Sequence, residues 1–296
     1  MTQTMTTAHT TDRSSSAMKS PAPSMLSASL RIFDLSLGEM LWSRRSVFLG
    51  MVVGGPVLVA LIARTVELFN LPALRVNGAR VSGAVMFGLM IWVLYLWVIV
   101  PVLGVFYGTS LMADEVEDRT LTYLFTRPIP RGAVLIGKYL AYLACTGLIL
   151  LPSVMLVFFL VMPIGGGGIP AIARGFPDLL KDLGLLGLGL AVYGAVFAFI
   201  GAQLKRPLLI GLFFIVGWEY VVLALPGYLK RFTVAYYLQA LVPHAMPQDS
   251  TVSALQSFFK DATSPVGSVL ALGLILVVFL SLAARAVGRR EYVLEQ

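Results

Sequence analysis

Charge is what this chain has least of. Asp, Glu, Lys and Arg make up 12% of its 296 residues, against 58% apolar residues; an ordinary soluble domain carries about twice that charged share. A soluble fold is thereby excluded, and the chain is read as an integral membrane protein. Cysteine is nearly as scarce. Cys145 stands alone inside a long apolar run, so no intramolecular disulfide can form and a thiolate metal site has no second ligand; its reading is a small packing residue. The two histidines, His9 and His244, are far apart in sequence and have no Cys or carboxylate at ligand spacing. No cofactor and no metal are expected. An intramembrane enzyme would need a nucleophile with its base, or His and acids around a metal, near the midplane, and no such constellation stands in the sequence.

What is present is a series of apolar runs. Reading between charges predicts an all-α protein with six transmembrane helices at about 46–64, 84–112, 138–162, 183–204, 207–227 and 264–285. Each is about as long as a hydrocarbon core of roughly 30 Å requires. The second and third runs exceed one span but are too short for two helices and a turn, so six spans are expected rather than eight. Residues 1–25, rich in Thr, Ser, Ala and Pro, read as a disordered cytoplasmic tail. Residues 26–290 form the six-span domain and 291–296 a second cytoplasmic tail.

Lys and Arg in the short flanks set the orientation. With both termini in the cytoplasm, 14 of the 22 basic residues fall inside and 8 outside. The expected location is the cell membrane, multi-pass. The net charge of +7 is accounted for by this asymmetry and by attraction to anionic headgroups, so no nucleic-acid partner is invoked.

Ahead of the first span, apolar residues recur at Leu30, Phe33, Leu37 and Leu41 with Arg31, Asp34, Glu39 and Ser43 between them. This period predicts an amphipathic helix on the inner leaflet, with Trp42, Arg44 and Arg45 at headgroup level; an early turn of the first span is the alternative. On the external side, Gly165 to Gly168 reads as a flexible linker, the alternative being a backbone loop that contacts cargo. A short helix is expected near Pro177 to Leu185. Interfacial helices are expected around Lys230 to Leu241 and Ser253 to Phe259.

The charged segment between the second and third spans is the main functional candidate. Asp114, Glu115, Glu117 and Asp118 precede Leu121, Tyr123, Leu124 and Phe125, and Arg127-Pro128-Ile129-Pro130-Arg131 closes the segment. Acids early in a helix complement its dipole and the prolines end it. The expected product is a short helix presenting apolar side chains amid charge, as a protein interface does; the alternative is a solvated loop that merely reverses the chain. Two apparent nucleotide motifs fail. Gly132 to Tyr139 fits the first seven positions of a phosphate-binding loop, but Tyr139 replaces the Mg²⁺-holding Ser or Thr and leads into a span. Leu35-Ser36-Leu37-Gly38-Glu39 resembles an ABC signature sequence without any nucleotide domain upstream. The chain is therefore not expected to hydrolyse ATP itself.

The pairs and triplets Asp114-Glu115, Arg119-Thr120-Leu121, Tyr123-Leu124, Arg127-Pro128, Pro130-Arg131 and Gly137-Lys138 resemble, in order and spacing, the membrane permease subunits of type-2 ATP-binding-cassette (ABC) transporters. The likeness extends over most of residues 26–290. It implies that Asp114, Glu115, Glu117, Arg119, Thr120, Leu121, Leu124, Phe125, Arg127, Pro128 and Arg131 form a segment that couples to a separate cytoplasmic ABC ATPase. It also implies a second permease copy in a homodimer and ATP-driven transport, with export as the expected direction.

Glu219 is the one acid deep in a span. At about 1.5 Å per residue it lies roughly 18 Å along the fifth, where a carboxylate faces the bundle interior or a wet cavity. It is a candidate for the translocation path; the alternative is a structural residue hydrogen-bonded to neighbouring helices. An ion-gradient transporter would place several ionisable groups along a path, and Glu219 stands alone.

Overall fold

The computed structural model describes residues 25–69, 75–76, 79–111, 131–225, 228–244 and 264–289. It is helical apart from a two-residue antiparallel ribbon, β1 (Arg75–Val76) and β2 (Ala79–Arg80). Helix α1 is Met25–Leu41 and α2 is Arg44–Leu68. They are followed by α3 (Gly83–Leu111), α4 (Arg131–Val161), α5 (Gly168–Gln203) and the shorter apolar α6 (Pro207–Leu223). A 3₁₀ turn (Tyr228–Phe232), the six-residue α7 (Val234–Gln239) and α8 (Pro265–Arg289) complete the order. Five of these helices, α2, α3, α4, α5 and α8, are long and apolar enough to cross a membrane. In hydrocarbon no water satisfies the peptide groups, so apolar runs of this length close their hydrogen bonds as helices. Where the sequence suggests a separate short helix at Pro177 to Leu185, α5 runs unbroken through Pro177.

Between these helices several buried hydroxyls are paired. The hydroxyls of Tyr139 and Tyr142 on α4 donate to consecutive α5 carbonyls, Ala191 at 2.6 Å and Leu190 at 2.8 Å. Tyr95 of α3 and Ser153 of α4 share a 2.7 Å hydrogen bond, and Ser153 donates onward to the Val53 carbonyl of α2. Helices α3 and α5 meet along small residues. A Cβ on Gly104 or Gly108 would lie 2.8 Å from the Cβ of Tyr193 or Phe197 respectively, so only the missing side chains let the two backbones come this close.

Helix α1 lies along α4, and three of its four periodic apolar residues, Phe33, Leu37 and Leu41, are half-buried while Arg31, Asp34 and Glu39 are exposed. Ser29 and Ser36 are buried and Ile32, Leu37 and Met40 half-buried, whereas Leu30, Leu35 and Trp42 are exposed. Small serines permit a closer backbone approach than leucines would, and α4 answers with Gly137: a Cβ there would stand 2.7 Å from the Ser29 carbonyl oxygen. Gly137→Val should therefore prise α1 off α4 at a cost of about 1–3 kcal/mol. The readout is thiol labelling of a Ser36→Cys probe, which should speed up in the valine variant and stay slow with Gly137 intact.

The linker reading needs revising. The segment Gly165 to Gly168 is an ordered turn: Gly165, Gly166 and Gly168 have φ of 78°, 84° and 53°, values costly for residues with a Cβ. The Gly165 amide donates to Glu67 Oε1 at 2.7 Å, and Glu67 Oε2 accepts from Arg64 at 2.7 Å. The turn is thus pinned to the end of α2. The phosphate-loop-like run from Gly132 to Tyr139 is helix, the first turns of α4, which leaves no loop of amides to cradle a phosphate. Residues 1–24 and 290–296, the expected coupling segment as far as Pro130 and the expected helix at Ser253 to Phe259 lie outside the described residues.

Candidate functional site

Two buried carboxylates, one on α5 and one on α6, converge on the segment from Tyr228 to His244. The first is Glu219. It sits in a π-helical stretch of α6, Phe214–Tyr220, where the wider turn changes the direction in which successive side chains point. Tyr220 donates its hydroxyl to the Trp97 carbonyl, and the two rings stack with centroids 5.6 Å apart and planes 23° from parallel. Trp97 lies in a second π-helical stretch, Met90–Ile99 of α3. This stacked pair clasps α6 to α3.

Glu219 is 1% exposed and its oxygens are occupied. Oε1 accepts the Val234 amide at 3.0 Å; Oε2 accepts the Ala235 amide at 3.1 Å and the Tyr193 hydroxyl of α5 at 3.3 Å. The two amides are those of the first turn of α7, which no intrahelical carbonyl can satisfy. Thr233 stands at the N-cap position, but its hydroxyl donates to the Lys230 carbonyl at 2.7 Å and makes no cap bond. Glu219 thus takes over the capping role from another element.

The second carboxylate is Asp182 of α5, whose side chain is fully buried. Its Oδ2 lies 2.7 Å from Nε2 of His244, a residue 12% exposed. The imidazole is held edge-on to Phe87 at 5.5 Å and fills the space that a Cβ on Gly88 would need, 2.8 Å from the His244 Cβ. Asp182 Oδ1 has no hydrogen-bond partner among the described residues.

Sequence reasoning missed this pair because Asp178, Lys181 and Asp182 look like one solvated turn. Asp178 and Lys181 do pair at the surface, at 2.8 Å. The available signal was the helical period: Leu179, Asp182, Leu186, Leu190, Tyr193 and Phe197 follow at steps of three and four residues, and all are buried. Of the other predicted site residues, those from Asp114 to Pro128 lie outside the described residues and Arg131 opens α4. Cys145 is buried and in no disulfide. Among the described residues no group of three or more His, Cys, Asp or Glu is placed to hold a metal.

Comparison with known proteins agrees with the residue-level likeness. No curated protein matches the chain. A family described as ABC-2 family transporter protein matches residues 2–292, which includes every described helix. The chain is a membrane component of the ABC-2 transporter family.

Proposed function

We propose that the chain is the permease half of an ATP-driven exporter, working as a homodimer with two copies of a separate cytoplasmic ABC ATPase. Family membership over nearly the whole chain carries this reading. A sixth span is assigned to α6, which is apolar but shorter than the other five. Both termini are then cytoplasmic, as the excess of basic residues on that side favours. Rows of exposed apolar side chains on α2 (Met51, Leu58, Ile62) and α8 (Leu270, Leu274, Val277) suit lipid and a second copy.

Coupling is assigned to Asp114 through Arg131. Closure of the ATPase pair on nucleotide would push this segment, and the bundle would switch between inward and outward access. A push can shift that equilibrium only if the docked ATPase favours one state over the other. Glu219, saturated by three donors, is assigned to holding α7 in place rather than to contact with cargo.

Reconstitution tests the reading. In proteoliposomes, the chain with its ATPase subunit should change the accessibility of introduced cysteines when nucleotide is trapped with vanadate, whereas the chain alone should not respond. A response of the chain alone to an imposed ion gradient would instead support a gradient-driven transporter.

A further inference from the structure

The segment from Tyr228 to His244 is attached to the bundle in two unequal ways. At one end, Glu219 accepts three hydrogen bonds, two of them from backbone amides that side-chain motion cannot withdraw. At the other end a single hydrogen bond joins Asp182 to His244, whose ring reaches the surface. Between them, Leu238 packs against Gly189 of α5. We propose that this segment is a strap with a fixed end at Glu219 and a releasable latch at Asp182–His244, so that it opens by pivoting about the first turn of α7.

Polar groups on the strap and on the helices it packs against support a closed state that is made to open. Asp182 Oδ1 and both side-chain amide atoms of Gln239 are buried without partners among the described residues. So is the hydroxyl of Ser268 on α8, the helix that α7 packs against. Unpaired buried polar atoms destabilise whatever state buries them. A permanently closed interface gains nothing from them, whereas an interface that opens recovers their hydration each time. Closure is then held by the packing of Val234, Leu238, Leu241 and Val242 on the core and, at the His244 side, by the Asp182–His244 bond. The asymmetry also gives direction: breaking the histidine bond releases the strap at His244, while the α7 amides stay on Glu219.

Thiol labelling of the purified full-length chain in lipid nanodiscs tests this, because it needs neither cargo nor ATPase. Leu238→Cys, 1% exposed in the closed strap, reports the latch end, and Ala235→Cys, 7% exposed, reports the fixed end. The native Cys145, fully buried, reports loosening of the whole bundle, and peptide mass analysis separates the thiols. With His244→Phe, which keeps an aromatic ring against Phe87 but removes the hydrogen bond, labelling at 238 should accelerate at least about tenfold, the order expected for losing one hydrogen bond to a charged group. Labelling at 235 and 145 should stay within about twofold of the parent rate, since local opening need not unfold the rest. His244→Gln, which retains a donor for Asp182, should label at 238 near the parent rate. An unchanged rate at 238 in His244→Phe overturns the latch. Acceleration at 145 in step with 238 overturns it as well, because His244 would then support the bundle generally.

Discussion

Glu219→Gln should lower the melting temperature of the purified protein and speed thiol labelling of an Ala235→Cys probe, even though the two side chains have the same shape. A carboxylate offers acceptors at both oxygens, whereas an amide offers one acceptor and two donors. With the amide oxygen in the Oε2 position, Ala235 and Tyr193 keep their partner, but the new NH₂ faces the Val234 amide across the 3.0 Å that Oε1 now spans. Flipping the amide rescues Val234 and leaves the Ala235 amide facing a donor instead. Either way one buried N–H is orphaned, at a cost of about 1–3 kcal/mol. Glu219→Leu orphans two amides and a hydroxyl together and should be the more damaging. If Gln melts with the parent and labels at the parent rate, the capping role is wrong; if it does so and yet stops transport, Glu219 belongs to the translocation path.

How far the sequence is legible depends on whether a contact is local. Apolar runs and their bounding charges are enough to locate the long helices, because in hydrocarbon a span is decided by composition and length. Glu219 stands out for the same reason, as the lone acid in an apolar run. Its partners do not: the amides of Val234 and Ala235 are offered by backbone, which carries no residue signature, and Tyr193 is one of 11 tyrosines. Asp182 is hidden by its neighbours Asp178 and Lys181, which make a buried position look wet. The glycines at 165–168 read as a flexible stretch because φ is not visible in a sequence; the Glu67 carboxylate that pins the turn lies 98 residues away. Helix α1 shows what periodicity leaves out: Phe33, Leu37 and Leu41 are half-buried as their spacing suggests, whereas the burial of Ser29 and Ser36 depends on Gly137 of α4, which no period of α1 announces.

The double substitution Leu124→Asp with Phe125→Asp should detach the ATPase altogether while leaving the permease folded. Both residues belong to the assigned coupling segment, where Leu121, Tyr123, Leu124 and Phe125 are the large apolar side chains between an acidic group and an arginine-flanked pair of prolines. If that cluster is the docking surface, it is buried by the partner, and an Asp there must lose its hydration without gaining a cation. Truncating one central interface residue typically costs about 2 kcal/mol or more, so two charged replacements should weaken the complex by well over about a hundredfold. Co-purification in mild detergent reads this directly, and an unchanged gel-filtration profile and melting temperature would show that the bundle has stayed intact. Leu124→Met with Phe125→Leu should keep the ATPase bound, since volume and apolarity are nearly preserved. Were the Asp variant to retain its ATPase, the segment would be a solvated turn and the docking surface would have to lie elsewhere on the cytoplasmic face.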